Sequence, residues 1–212
     1  MTTDSLKPRG MRRQPRQARS QERVNQILDV AEQLFITEGY NATSTNAIAA
    51  NAKVPIGSLY QFFPDKAAIL YKLADRYNQQ LHHLLVELNT PESKSLPLSS
   101  YMEQVIDTVN QFFTDYPGYH AIFMPLQGSM PELEAIDAAA DAQLIQDLAM
   151  FISEHYPDLE PLIYEAIAFV LVKMIGTLLW TSLSQEKTFR QQLVRETKRL
   201  TLSYLQSYLS KS

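Results

Sequence analysis

Between Asn41 and Lys66 the chain fits two helices of only about two turns each, and few folds accept two such short helices in succession. The polar cluster 41–46 offers N-cap residues, after which Ile48, Ala49 and Ala52 follow at helical spacing. Lys53 and Val54 break that helix. Pro55, well tolerated in a first turn, opens a second segment over 57–63, and Pro64 and Asp65 end it and cap the next. Neither segment has enough apolar surface to stand alone. They must share a small core, for which Ile48, Ala49, Val54, Leu59 and Phe63 are spaced, and they need longer helices behind them.

The flanking sequence supplies those helices. Val24, Ile27, Leu28, Ala31, Leu34 and Phe35 recur with the helical period, and Gly39 falls where a left-handed residue stops a helix. From Lys66 the pattern Ile69, Leu70, Leu73, Ala74, Tyr77, Leu81, Leu84, Leu85, Leu88 predicts one long helix to about Asn89. Residues 90–98, with two prolines and several serines, read as a loop. Helical periodicity then resumes near 99–114, 118–124, 132–156, 160–184 and 188–210 and never gives way to strand alternation. The expected fold is all-α with about nine helices: a three-helix N-terminal unit and a larger C-terminal helical domain.

Two short helices joined by a tight turn, packed on one helix and backed by another, are the design of a helix-turn-helix whose second helix reads DNA. In that geometry Ile56, Gly57, Ser58, Tyr60 and Gln61 lie on the outer side or leading edge of the reader. Gly57 lets the backbone approach the sugar-phosphate closely. Ser58 and Gln61 offer hydrogen bonds to base edges or phosphates, and Tyr60 offers its hydroxyl to a phosphate. Charge points the same way. Residues 1–66 hold nine Lys and Arg against six Asp and Glu, whereas the remainder holds ten against seventeen, so only the first part invites a polyanion. Lys7, Arg9, Arg12, Arg13, Arg16, Arg19 and Arg23 face only Asp4 and Glu22 there, which reads either as a basic arm for phosphates or as a solvated terminus. The organisation expected is an arm over 1–19, a DNA-binding domain over 20–66 and an effector-binding and dimerisation domain over 67–212.

The run Ile48-Ala49-Ala50-Asn51-Ala52-Lys53-Val54-Pro55-Ile56-Gly57-Ser58-Leu59-Tyr60-Gln61-Phe62-Phe63-Pro64-Asp65-Lys66 resembles the signature of the tetracycline repressor (TetR) family. The likeness extends back through Ala31, Leu34, Phe35, Gly39-Tyr40 and Thr43-Ser44-Thr45, and so covers about residues 20–72. It implies that Thr45, at the start of the second helix, holds a phosphate and that Lys66, opening the fourth, clamps another. Lys53 stands where the family most often has Gly in the turn, and Pro55 where it usually has a Ser or Thr cap. Both remain in the DNA-facing set, with an adjusted turn and one hydroxyl fewer. The resemblance further implies a repressor, released from a palindromic operator by a small effector.

In the family the last two helices pair with their mates across a two-fold axis. Suitably wide apolar faces are made by Ile163, Ile167, Val170, Leu171, Met174 and Leu178, and by Leu193, Leu200, Tyr204 and Tyr208. Burial within the monomer is the other reading of these residues. An effector cavity is expected among helices four to eight. Phe112, Phe113, Tyr116, Tyr119, Phe123, Met124, Phe151, Met174 and Trp180 would supply apolar lining, and His120, Gln127 and Thr177 its polar points. Each is also an ordinary core residue type. The lining suggests an apolar or aromatic effector.

Other classes fit less well. The chain has no cysteine, which excludes disulfides, thiolate metal sites, a Cys nucleophile and thiol redox sensing, and fits a reducing cytoplasm. The four histidines, at 82, 83, 120 and 155, have no ligand or triad spacing, and His82 and His83 point about 100° apart on a helix. An enzyme such as a helical hydrolase therefore lacks its constellation, and no metal or cofactor is expected. The residues 166–183 come nearest to a membrane span, but Lys173 and the helical pattern suggest a buried core helix, so no membrane partner is expected. A non-specific architectural DNA binder is disfavoured by a net charge of −4.

Overall fold

A computed structural model describes residues 18–209. They form α1 (Ala18–Glu38), α2 (Thr45–Asn51), α3 (Ile56–Phe62), α4 (Lys66–Glu87), α5 (Pro91–Lys94), α6 (Leu98–Asp115), α7 (Pro117–Phe123), α8 (Pro131–His155), α9 (Pro161–Ser182) and α10 (Lys187–Leu209). A 3-10 turn at Met124–Leu126 follows α7, and no strand occurs among the described residues. The nine expected helices are present, and α5 is the tenth, inside the expected loop. Thr90 caps it by accepting from the Ser93 N–H at 3.2 Å, and Pro91 begins it, so the residues that read as loop punctuation are here a helix start. Residues 1–17 of the expected arm lie outside the described residues, while Ala18 and Arg19 open α1.

Two compact units divide the described chain. The first holds residues through Tyr77 together with Ala121–Asp137. Its centre is the buried face of α1, made of Val24, Ile27, Leu28, Ala31 and Phe35 at the expected spacing. The first turns of α4 add Ala68, Ile69, Leu70, Leu73 and Ala74. Phe35 is 2% exposed, and truncating such a side chain to alanine costs about 3–5 kcal/mol. Gly39, at φ +84°, ends α1 with its N–H on the Phe35 carbonyl at 3.1 Å. Polar pairs then fix α4 to α1. Arg76 reaches Asp29 at 2.6 Å and also Glu32, and the Tyr77 hydroxyl donates to the same Glu32.

The second unit holds Asn78–His120 and the described residues from Ala138 onward. Within it α6, α9 and α10 pack on one another. Met102, Ile106 and Phe112 of α6, Ile167, Leu171, Ile175 and Leu179 of α9, and Leu205 of α10 are buried. Lys198 of α10 pairs with Asp107 of α6 at 2.6 Å. The reading of 166–183 as a simply buried core helix needs correction. One side of α9 is buried, but Phe169 is 54% exposed and Val170 38%. By length and composition α9 is also long and apolar enough to cross a membrane. The Lys173 ammonium in its middle lies 2.5 Å from Asp141 of α8.

Candidate nucleic-acid interface

The geometry of α2 and α3 follows from local sequence. Ser44 caps α2 by accepting from the Ala47 N–H at 3.1 Å. Ile48, Ala49 and Ala52 turn inward. Lys53 then takes φ +53°, the left-handed conformation that the turn demands and that glycine adopts without strain. Pro55 occupies the N-cap of α3 without any side-chain cap bond. Both departures from the family pattern thus appear in the backbone, and the turn is preserved around them. Leu59, Phe62 and Phe63 are buried, whereas Val54, expected in the shared core, is only half-buried. Phe62 joins that core beside Phe63.

The outer edge of α3 is open. Pro55, Ile56, Gly57, Tyr60 and Gln61 are exposed and Ser58 is half-buried. A Cβ built on Gly57 meets nothing within 4 Å, so nothing in the fold requires glycine there. The Tyr60 hydroxyl lies 3.0 Å from Oγ1 of Thr45, joining the second half of α3 to the start of α2 on the exposed side. Tyr60 is therefore not a core aromatic.

Lys66, expected to clamp a phosphate, has main-chain partners in the free chain. Its ammonium turns inward and donates to the carbonyls of Tyr40 at 2.5 Å, Thr43 at 2.7 Å and Asn41 at 3.3 Å. The Tyr40 ring covers it, with its centroid 4.3 Å away. Burial holds the Lys66 pKa below its usual value, and burial, then Asp65, raises that of Tyr40. Thr43, 2% exposed, donates its hydroxyl to the Gly39 carbonyl at 2.9 Å and so caps α1. Neither Tyr40 nor Thr43 was marked as part of the site, because main-chain carbonyls that gather in a turn leave no trace in a sequence. The pKa of Tyr71, in the second turn of α4, is pushed up to about 12 by burial and by Glu132.

The expected effector residues divide. Phe123 packs edge to face on Tyr77 in the first unit, where Met124 and Gln127 also lie. In the second unit Phe112, Tyr116, Tyr119, His120 and Trp180 gather with Phe113 in one aromatic cluster, with centroids of neighbouring rings 5.0–6.1 Å apart. The hydroxyl of Tyr119 donates to Asn78 of α4 at 2.9 Å, and Gln80 of α4 donates to Tyr116. His120 is held below its ordinary pKa by burial, then by Arg190. Phe151 is not in this cluster. It stacks between Tyr101 and His155, at 4.0 and 4.1 Å. Thr177 is exposed rather than lining an interior.

Among the expected dimer residues, Ile167 and Leu171 are 1% and 0% exposed within the protomer, so they are its own core and not a free face. Val170, Leu200 and Tyr208 are exposed, and Ile163, Met174, Leu178, Leu193 and Tyr204 are half-buried. Leu178, Leu193 and Leu200 line a groove of about 380 Å³ between α9 and α10, with Glu196, Thr197 and Arg199. Leu162 and Phe169 belong to the exposed apolar side and were not singled out, since a helix apolar all round gives no period to read.

A short α2, a tight turn and an α3 with one buried and one open edge define a helix-turn-helix protein. Two family descriptions match the chain: bacterial regulatory proteins of the tetR family over residues 27–73, and the tetracyclin repressor-like C-terminal domain over 97–205. The chain belongs to the TetR family of transcriptional regulators, which are not enzymes. The uncharacterized HTH-type transcriptional regulator YuxN of Bacillus subtilis (strain 168) is 27% identical over 122 residues, 56% of this chain and 40% of that protein. The chain spans less than half the length of the curated relatives it matches. A candidate TetR-family regulator of Syntrophomonas wolfei shares the fold at a TM-score of 0.72 and 18% identity, over 91% of this chain and 99% of that one. Another from Mesorhizobium loti does so at 0.70 and 17%, over 89% and 98%.

Proposed function

We propose that the chain is a homodimeric, cytoplasmic repressor that binds a palindromic operator and is released by a small, largely apolar or aromatic effector. The observation that carries the DNA-binding reading is the open edge of α3. Ile56, Gly57, Tyr60 and Gln61 stay exposed while Leu59, Phe62 and Phe63 are buried behind them. Thr45, Lys53, Pro55 and Ser58 complete that edge in this reading, with residues 20–66 as the DNA-binding part and 67–212 as the effector-binding and dimerisation part. The apolar outer side of α9 supports a second copy as its cover, because a large exposed apolar patch is unfavourable in water. The aromatic cluster around Trp180 supports an effector of matching chemistry.

The test is selection of tight-binding duplexes from a random pool. The expected winner is a palindrome whose half-sites are one helical turn apart, roughly 34 Å, or somewhat more if the duplex is deformed. Binding without sequence preference would instead mark an architectural protein.

A further inference from the structure

We propose that Arg190 and the aromatic cluster beside it form a binding site for an aromatic monocarboxylate, the rings of Trp180 and Phe113 taking the aromatic part and the Arg190 guanidinium the carboxylate. The proposal rests on the effector reading above and narrows it from an apolar or aromatic compound to an aromatic acid. Arg190, near the start of α10, is half-buried and reaches across to α6, where its Nη2 donates to Asn110 Oδ1 and Thr114 Oγ1, both at 3.2 Å. Both acceptors are neutral. The cations that tie helices together elsewhere each meet a carboxylate: Arg76 has Asp29 and Glu32, Lys173 has Asp141, and Lys198 has Asp107. Arg190 makes no such pair with any described residue, so a half-buried positive charge is left without a counterion. A guanidinium carries donors on each of its nitrogens, and the bonds from Nη2 leave those on Nε and Nη1 for a further acceptor. His120 joins this charge to the rings. It meets Trp180 edge to face at 5.1 Å, its Nε2 lies 3.3 Å from the Ser184 hydroxyl, and burial, then the Arg190 charge, hold its pKa below the ordinary value. The field of Arg190 therefore reaches the edge of the cluster, where Trp180 also meets Phe113 at 5.8 Å and Tyr119 at 5.3 Å. A flat ring suits these edge-to-face neighbours, and a planar carboxylate on that ring suits the planar fork of an arginine. One guanidinium balances one negative charge, which favours a monocarboxylate over a phosphate dianion.

The competing account is that Arg190 only tethers α10 to α6. The measurement uses the full chain with benzoate, cinnamate and 2-naphthoate, each beside its primary amide, which keeps the shape and removes the charge. Affinity is read by titration calorimetry, with Trp180 emission as a second signal. At least one acid is expected to bind about tenfold or more tighter than its amide, as a hydrogen bond to a charged group implies. Arg190→Gln should bring that acid down to the level of its amide and leave the amide within about threefold. Asn110→Asp guards against a variant that fails to fold, because it keeps the tether and gives Arg190 a carboxylate of its own. Its melting temperature should hold or rise, and its preference for the acid should vanish. A tether alone predicts the same ratio of acid to amide affinity in wild type and in both variants, and that result overturns the proposal. Acids that show no binding at millimolar concentration overturn it as well. Amides that bind as tightly as the acids end the anion site and leave the reading of a neutral aromatic effector intact. An acid that binds through Arg190 but leaves affinity for the selected palindrome unchanged does the reverse: it supports the site and ends its role as the effector site.

Discussion

The Tyr60 hydroxyl and Oγ1 of Thr45 lie 3.0 Å apart on the exposed side of the helix pair, each able to donate to the other. When one donates to the other, the second keeps its hydrogen free to donate to an anionic oxygen. An exposed neutral pair adds little to folding, about 1 kcal/mol at most, because water replaces either partner. Tyr60→Phe and Thr45→Val should therefore leave the urea midpoint almost unchanged while weakening all duplexes alike, as loss of a phosphate contact does. Fluorescence anisotropy on matched and mismatched duplexes checks this. A selective loss on the matched duplex would move the pair from backbone holding to base reading.

Lys53 holds φ +53° in the turn. The left-handed conformation costs an L-residue about 1–2 kcal/mol, and glycine loses part of that gain, about 0.5–1 kcal/mol, to its freer unfolded chain. Lys53→Gly is expected to stabilise the protein by about 0.5–1 kcal/mol in denaturant titration at fixed protomer concentration. If the exposed ammonium also meets a phosphate, the salt slope of DNA binding falls by about 0.9 per protomer in the same variant.

At Gly57 the two requirements separate. Its Cβ position faces open space and its backbone is helical, so Gly57→Ala should stabilise α3 by about 0.5–1 kcal/mol. The added methyl would stand between the helix and the sugar-phosphate backbone. Affinity for the selected duplex should drop by about tenfold, equivalent to about 1.4 kcal/mol. A variant that is more stable and binds as tightly as wild type would show that DNA does not approach this part of α3.

How much of this was legible in the sequence depends on the range of the signal. The helix-turn-helix was readable because caps and breakers act on their immediate neighbours. Ser44 caps α2, Gly39 ends α1, and Pro55 and Pro64 bound α3, each within a few residues of its effect. The inner and outer sides of α9 were not readable, because Ile167 and Leu171 inside and Phe169 and Val170 outside are all apolar and no period distinguishes them. The separation of Phe151 from Trp180 was hidden for a different reason. Which aromatic rings meet is decided by helix packing, and the residues that bring Phe151 to Tyr101 lie on another helix. The partners of Lys66 were hidden because they are main-chain atoms.

The exposed side of α9 gives a prediction about assembly. Phe169 is 54% exposed, next to Val170, and lies on the same helix as the groove residue Leu178. If a second copy covers this side, Phe169→Glu places a charge in a water-excluded contact, which is costly unless it is paired. Sedimentation velocity should then show a monomer at concentrations where the wild-type chain is a dimer, and affinity for the palindrome should fall because only one reading helix engages at a time. Circular dichroism should remain helical. A variant that stays dimeric would move the interface away from the middle of α9.

The last prediction concerns communication between effector and DNA. In the second unit the aromatic cluster touches α4 through polar contacts, with the Tyr119 hydroxyl on Asn78 and Gln80 on Tyr116. The same helix begins at Lys66, beside the candidate DNA edge. Trp180, the only tryptophan in the chain, sits in the cluster, so a compound that enters it must change the indole emission. A compound found by its upward shift of the melting temperature can then be titrated against Trp180 emission with and without the selected palindrome. If the effector prefers the arrangement that DNA does not, linkage requires DNA to weaken its binding by the same factor that it weakens DNA, about 5- to 150-fold for couplings of about 1–3 kcal/mol. Tyr119→Phe keeps the ring and removes the hydroxyl. It should leave effector affinity in the absence of DNA within about threefold while reducing the coupling factor, since one net hydrogen bond is worth about 1 kcal/mol. Equal effector affinities with and without DNA in the wild-type chain would mean that nothing passes along α4, and that the protein is a constitutive binder controlled by its own abundance.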